Sequence, residues 1–144
     1  MAKVTREQLT RWNAKLSNGF ELDLQQFLIW NEKSAERMID LPNGKRLDAK
    51  ISWYEVTDKP NAPFWQQKVI GVRPCLDLSI WTPTSTPEMW SSRGVGAKVE
   101  LTDKVYAKRN WNELAKFTAE WNDQRILDEA KKHTKELQND LLIG

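Results

Sequence analysis

The residues able to do chemistry in this chain are few. His133 is the only histidine and Cys75 the only cysteine. A Ser-His or Cys-His nucleophile needs an imidazole held by a third group in a cleft. His133 instead sits in Lys131-Lys132-His133, on the outward side of a helical pattern. Cys75 alternates away from the apolar side of its strand pattern and reads as a small packing residue. One Cys and one His cannot supply the soft ligands of a structural zinc site. Arg93-Gly94-Val95-Gly96-Ala97-Lys98 matches neither the phosphate-binding loop nor the dinucleotide fingerprint, and its glycines read as a turn into a strand.

The acids offer more. Asp40 precedes the Pro42-Asn43-Gly44 turn, and Asp48-Ala49-Lys50 lies on the strand pattern that follows it. Two carboxylates and a lysine meeting across a hairpin can surround a divalent cation, as in a metal-dependent nuclease. Acid-x-lysine triplets are also common on solvated strand faces. Asp77, on the polar side of its own strand, joins either reading. No cofactor or metal is expected from the residue pattern.

Tryptophan is the oddest part of the composition, with 8 Trp against 4 Phe and 2 Tyr. Trp12, Trp111 and Trp121 fall on helical stripes and Trp53 on an inward strand face, so packing accounts for them. Trp90 differs, because it lies in the polar, proline-containing stretch from Thr82 to Gly96, read as a long connection. Met89, Trp90 and Arg93 presented by one loop form a protein-binding anchor, since Trp and Arg dominate interface hot spots. Phe64-Trp65, after Pro63, gives a second aromatic candidate for the same surface.

Lys and Arg number 22 against 20 Asp and Glu, for a net charge of +2, and no basic tail or domain is present. Nucleic-acid binding then depends on local clusters: Lys45, Arg46 and Lys50, or Lys104, Lys108 and Arg109, with strand-borne Trp stacking on single-stranded bases. The lone cysteine excludes an intrachain disulfide, no stretch approaches the roughly 18 apolar residues of a membrane span, and the polar N-terminus does not resemble a signal segment. A cytoplasmic setting is expected.

These residues have to be positioned by elements that the hydrophobic pattern marks out. Thr5 and Gln8 form a capping box before Leu9, Trp12 and Leu16, and Asn18-Gly19 ends that helix. Asp23 and Gln26 open a second helix whose apolar spacing suggests a run into the late thirties, although residues 38–41 also fit a strand. Two-residue alternation marks strands over 47–53 and 70–80, with a shorter one over 97–101. Pro74 argues for an edge position or a bulge in the second of these. Asn110 and Glu113 open the longest helical pattern, reaching about Leu142, with a stripe that slips between Trp121 and Leu127 and an outward Asp128–Lys132 pair.

The resulting expectation is one α+β domain over residues 1–144: a small antiparallel sheet of three to four strands, two N-terminal helices and one long C-terminal helix, with the helices on one face. The C-terminal stripe can also pair with its own copy as a homodimer. By subtraction, the sequence points to a non-enzymatic intracellular protein that binds another protein. Short Trp-rich chains poor in catalytic groups are a familiar type among inhibitors carried by phages and other mobile elements, an analogy of type and not of residues. Single-stranded nucleic-acid binding and a nuclease built on Asp40, Asp48 and Lys50 are the alternatives.

Overall fold

The computed structural model describes residues 4–42, 44–83 and 90–133, with side chains described outside 83 and 90–97. Five strands form one antiparallel meander in the order β1 (Glu21–Leu22), β2 (Ala35–Asp40), β3 (Arg46–Thr57), β4 (Val69–Pro83) and β5 (Trp90–Glu100). Helices α1 (Arg6–Ala14) and α2 (Leu24–Trp30) flank β1, and α3 (Trp111–Thr118) and α4 (Asp123–His133) follow β5. The α+β class is as expected, but with five strands and four helices among the described residues.

Alternation along β3 and β4 sorts the sheet into two faces. Leu47, Ala49, Ile51 and Trp53 join Val72, Leu76, Leu78 and Ile80 on one side, where Leu114, Trp121, Ile126 and Ala130 of the C-terminal helical segment close a single apolar cluster. Burying such side chains supplies about 1.5–3 kcal/mol each before entropy is counted. The other face carries Glu36, Asp48, Lys50 and Asp77. Not every helix packs on one side: α2 stands over this polar face at β2 and β3, with Asp23 Oδ2 2.7 Å from Lys50 Nζ.

The differences from expectation have local causes. Helix α2 does not run into the late thirties, because Asn31 adopts a left-handed conformation (φ 56°) and its N–H returns to the carbonyl of Phe27. Residues 35–40 are then free to pair with β3, Ala35 opposite Ile51 and Asp40 opposite Arg46. The long C-terminal helix is two helices. Asn122 accepts from the N–H of Arg125 at 2.9 Å and starts α4 afresh, at the place where the apolar stripe slips. Lys132 pairs with Glu129 and not with Asp128. Residues 134–144, with Thr134, Leu137 and Leu141 of the proposed dimer stripe, lie outside the described residues; of its earlier part, Ala130 is buried in the chain's own core and Leu127 packs half-buried against it.

Pro74 lies on an interior strand, neither at an edge nor at a bulge. Its carbonyl accepts from Leu101, one residue past the end of β5, so its missing donor falls where the ladder to β5 has already ended. The bulge is elsewhere: the β4–β5 register passes from Leu78 opposite Ala97 to Ser79 opposite Gly94. The glycines of 94–96 therefore sit in a bulged strand and not in a turn.

The N-terminal segment is tied to α3 by polar contacts. Thr118, fully buried, accepts from the N–H of Ser17 at 2.9 Å and donates to the carbonyl of Ala115. Asn18, in the left-handed region at φ 58°, donates to the carbonyl of Thr118. Thr118→Val keeps the shape and leaves the Ser17 N–H without its acceptor. A loss of about 1–2 kcal/mol is expected in urea unfolding, and an unchanged midpoint would show that the tie contributes nothing.

Candidate functional site

Two regions carry the residues singled out above. The first is the tip of the β3–β4 hairpin. Between Thr57 and Val69 the chain makes a short 3-10 turn over Phe64–Gln66, entered through Pro63 and closed by Gln67, whose side-chain amide donates to the carbonyl of Ala62 at 2.7 Å. The turn fixes two rings outward. Phe64 is 80% exposed and Trp65 71%, packed edge to face with centroids 5.5 Å apart. Val69 and Ile70 are exposed on the adjoining strand. A groove beside them is lined by Glu55, Val69, Ile70, Lys108 and Arg109.

The second region is a cavity of about 450 Å³ between α2 and the polar face of β2 to β4. It is lined by Asp23, Gln26 and Ile29 from α2 and its cap, Glu36 and Met38 from β2, Arg46, Asp48 and Lys50 from β3, and Trp81 from β4. Asp48 is 5% exposed; its Oδ2 accepts from the Trp81 indole N–H at 3.4 Å and its Oδ1 has no hydrogen-bond partner. Lys50 reaches Asp23 at 2.7 Å and Glu36 at 3.8 Å.

Burial and like charge act on these acids. The Glu36 carboxyl is pushed up to about 8, by burial first and then by the neighbouring Asp48. Asp48 is also raised, by burial, against the opposing pull of Glu36, Lys50 and the Trp81 N–H. Lys50 is held above its usual value because its partners, Asp23 foremost, outweigh the burial that acts against its charge. A buried pair in which Asp48 raises Glu36 while the Glu36 proton steadies the Asp48 carboxylate holds one proton between them more readily than it ionises twice.

The comparisons with protein-family models, curated proteins and solved structures give no match. Its residues must speak for the chain.

Of the nuclease set, Asp48 and Lys50 do come together, but Asp40 is turned to the rim, its carboxylate exposed and bonded to Arg46 Nε at 2.9 Å. Glu36 and Asp23 take its place beside Asp48. Among the described residues no group of three or more His, Cys, Asp or Glu is arranged to hold a metal ion. Asp77 stays on the polar face opposite Lys50, near Cys75 Sγ at 3.9 Å. Cys75 is buried, and its thiol is pushed up to about 11 by burial and then by Asp77, the opposite of an activated nucleophile. His133 pairs on the surface with Glu129.

The proposed Met89–Arg93 loop is corrected in part. Met89 lies outside the described residues, whereas the backbones of Trp90 and Arg93 belong to β5, opposite Pro83 and Ile80. The bulge after Gly94 breaks the two-residue alternation that would have revealed this strand. The basic clusters also separate. Arg46 is bonded to Asp40, Lys50 to Asp23, and Lys45 is half-buried, whereas Lys104, Lys108 and Arg109 are exposed, with Lys104 Nζ 4.5 Å from the centre of the Tyr106 ring. Trp12, Trp53 and Trp121 pack as expected, Trp12 against Phe27 at 5.3 Å and Trp53 against Tyr106 at 5.0 Å. Glu36 and Asp23 were missed because the apolar spacing carries α2 past Trp30. Asn31, a residue type that takes the left-handed conformation ending a helix, was the available signal.

No helix among the described residues is long and apolar enough to cross a membrane.

Proposed function

We propose that the chain is a binding protein that engages another protein through the tip of the β3–β4 hairpin. The observation carrying this reading is the outward pair Phe64 and Trp65, 80% and 71% exposed, continued by Val69 and Ile70. Large aromatics held in one geometry lose little rotamer freedom on contact and bury much apolar area, which is why they anchor interfaces. The cations Lys108 and Arg109, which line one groove with Val69 and Ile70, suit a partner with an acidic rim around an apolar centre. The inert Cys75 and the surface His133 support a role without nucleophilic catalysis. A partner blocked by this contact would be inhibited by occupancy alone.

The test compares the parent with Phe64→Ala/Trp65→Ala, whose exposed side chains leave the core untouched. Proteins retained from a cell lysate and identified by mass spectrometry should fall at least tenfold in the variant, at an unchanged melting temperature and with little loss in 0.5 M salt. Equal retention by both proteins would end the proposal. Retention of single-stranded nucleic acid that collapses between 0.05 and 0.2 M salt would favour the alternative built on Lys104, Lys108 and Arg109.

A further inference from the structure

We infer that the cavity beneath α2 is a binding site for a small organic cation, an ammonium or guanidinium group on an apolar stem, with Asp48, Glu36 and Asp23 as acceptors and Ile29, Met38 and Trp81 as walls. The site is independent of the hairpin tip.

Three observations converge on this ligand. The volume, about 450 Å³, lies in the range of small-molecule pockets. Asp48 lines the cavity, is 5% exposed, and its Oδ1 meets no N–H group of the protein; the one hydrogen offered to this carboxylate inside the cluster is the proton of the Glu36 carboxyl, present only while Glu36 is neutral. A buried acceptor in that state costs roughly 1–3 kcal/mol unless something donates to it, so such an atom beside a cavity marks a place for an N–H group. The charge balance then selects the sign. Among the described residues the titratable groups facing the cavity are Asp23 from the α2 cap, Glu36 from β2, and Arg46, Asp48 and Lys50 from β3. Lys50 is closed onto Asp23 and Glu36, and Arg46 onto Asp40 at the rim, so the carboxylates in excess are those around Asp48.

An anion is repelled by these acids. A divalent metal is disfavoured because Lys50 stands among them and no group of three such ligands is arranged among the described residues. A planar guanidinium meets carboxylates with paired N–H donors and sheds its water more easily than an ammonium, and its stem would lie along Ile29 and Trp81. Near neutral pH the proton shared by Glu36 and Asp48 occupies the donor's place, and an entering cation displaces it. Affinity should therefore rise with pH.

The experiment is calorimetric titration of the full chain with butylguanidinium and with butylammonium, using butanol and magnesium as controls. Both cations should bind saturably at pH 8, about tenfold or more tighter than at pH 6, with release of up to one proton read from two buffers of different ionisation heat. Butanol and magnesium should not compete. Asp48→Asn should weaken binding at least tenfold. Ile29→Lys, on an exposed helix position and outside the acid cluster, should also weaken it by setting an ammonium at the mouth, which keeps the test valid if the Asn variant fails to fold. Asp128→Asn, an exposed acid on α4 outside the cavity lining, should have no effect. A blocked Gly-Arg-Gly peptide separates the sources: tighter binding than butylguanidinium assigns the site to an arginine side chain of another chain, and weaker binding to a free small molecule. Absence of saturable cation binding by the parent at pH 8, equal binding by magnesium, or full binding by both Asp48→Asn and Ile29→Lys would overturn the inference.

Discussion

Glu36→Gln is expected to make the chain more stable than the parent above pH 8 and to flatten its dependence on pH. The folded carboxyl titrates at about 8 and the unfolded one near 4.5, so between these values the folded state holds a proton that the unfolded state has lost. Stability from this group is complete below about 4.5, declines as pH rises, and is lost once pH passes about 8. At about 1.4 kcal/mol per pH unit the whole interval caps the loss at roughly 5 kcal/mol. Glu36 is only 23% exposed at its side chain, so solvent screening removes little of this, whereas Lys50 at 3.8 Å offsets part of it once the carboxylate forms. A decline on the order of 2–4 kcal/mol in the parent is therefore expected. Glutamine keeps an N–H donor beside Asp48 at every pH and cannot acquire the charge. Urea unfolding at pH 5, 7 and 9 checks this: the parent midpoint should fall across the series relative to the variant. Parallel curves for the two proteins would show that the carboxyl at position 36 is not the source of the slope.

The same cavity shows how far the sequence could be read. Asp48 and Lys50 were visible as an alternating pair on a strand, because strand periodicity is set by the chain itself. Their real partners came from a helix that ended early and a strand that began where a helix was expected. The apolar residues Leu24, Phe27, Leu28, Ala35 and Met38 fit one helical stripe, and the three- and four-residue spacing survives whether or not the backbone continues. Only Asn31 in its left-handed conformation decides the matter. Caps were the most legible feature. Thr5 with Gln8, Asp23 and Asn110 each accept from the backbone N–H three residues on, since the interaction is local and depends on few neighbours. Strand β5 was the least legible, because Ser91, Ser92 and Gly94 offer little apolar contrast and the bulge shifts the phase. The exposed Phe64 and Trp65 were legible as candidates because Pro63 forces a loop, but their orientation rests on the turn and on the Gln67 amide, which sequence periodicity does not encode.

Gly71 carries a second large effect. It lies on β4 opposite Val56, with Val105 and Tyr106 crossing beside it. A Cβ at this position would stand 2.5 Å from the backbone oxygen of Tyr106 and 2.5 Å from Val105 Cγ1. The valine can rotate, but the carbonyl cannot. Tyr106 is fixed by reciprocal hydrogen bonds with Val72, both 2.8 Å, and its ring packs edge to face on the buried Trp53 at 5.0 Å. Gly71→Ala must therefore push the segment around Tyr106 away from β4, costing about 0.5–1.5 kcal/mol for each hydrogen bond and a similar amount for the ring contact. The total, roughly 2–4 kcal/mol, corresponds to a fall in melting temperature of about 5–15 °C for a chain of this size. Trp53 fluorescence should shift to the red as its tyrosine partner withdraws. Gly44→Ala supplies the contrast. Gly44 has φ +83° in the β2–β3 turn with nothing within 4 Å of the added carbon, so it meets only the backbone penalty of about 1–2 kcal/mol. If Gly71→Ala costs no more than Gly44→Ala and leaves the Trp spectrum unchanged, close approach of the Tyr106 backbone is not what requires glycine at 71.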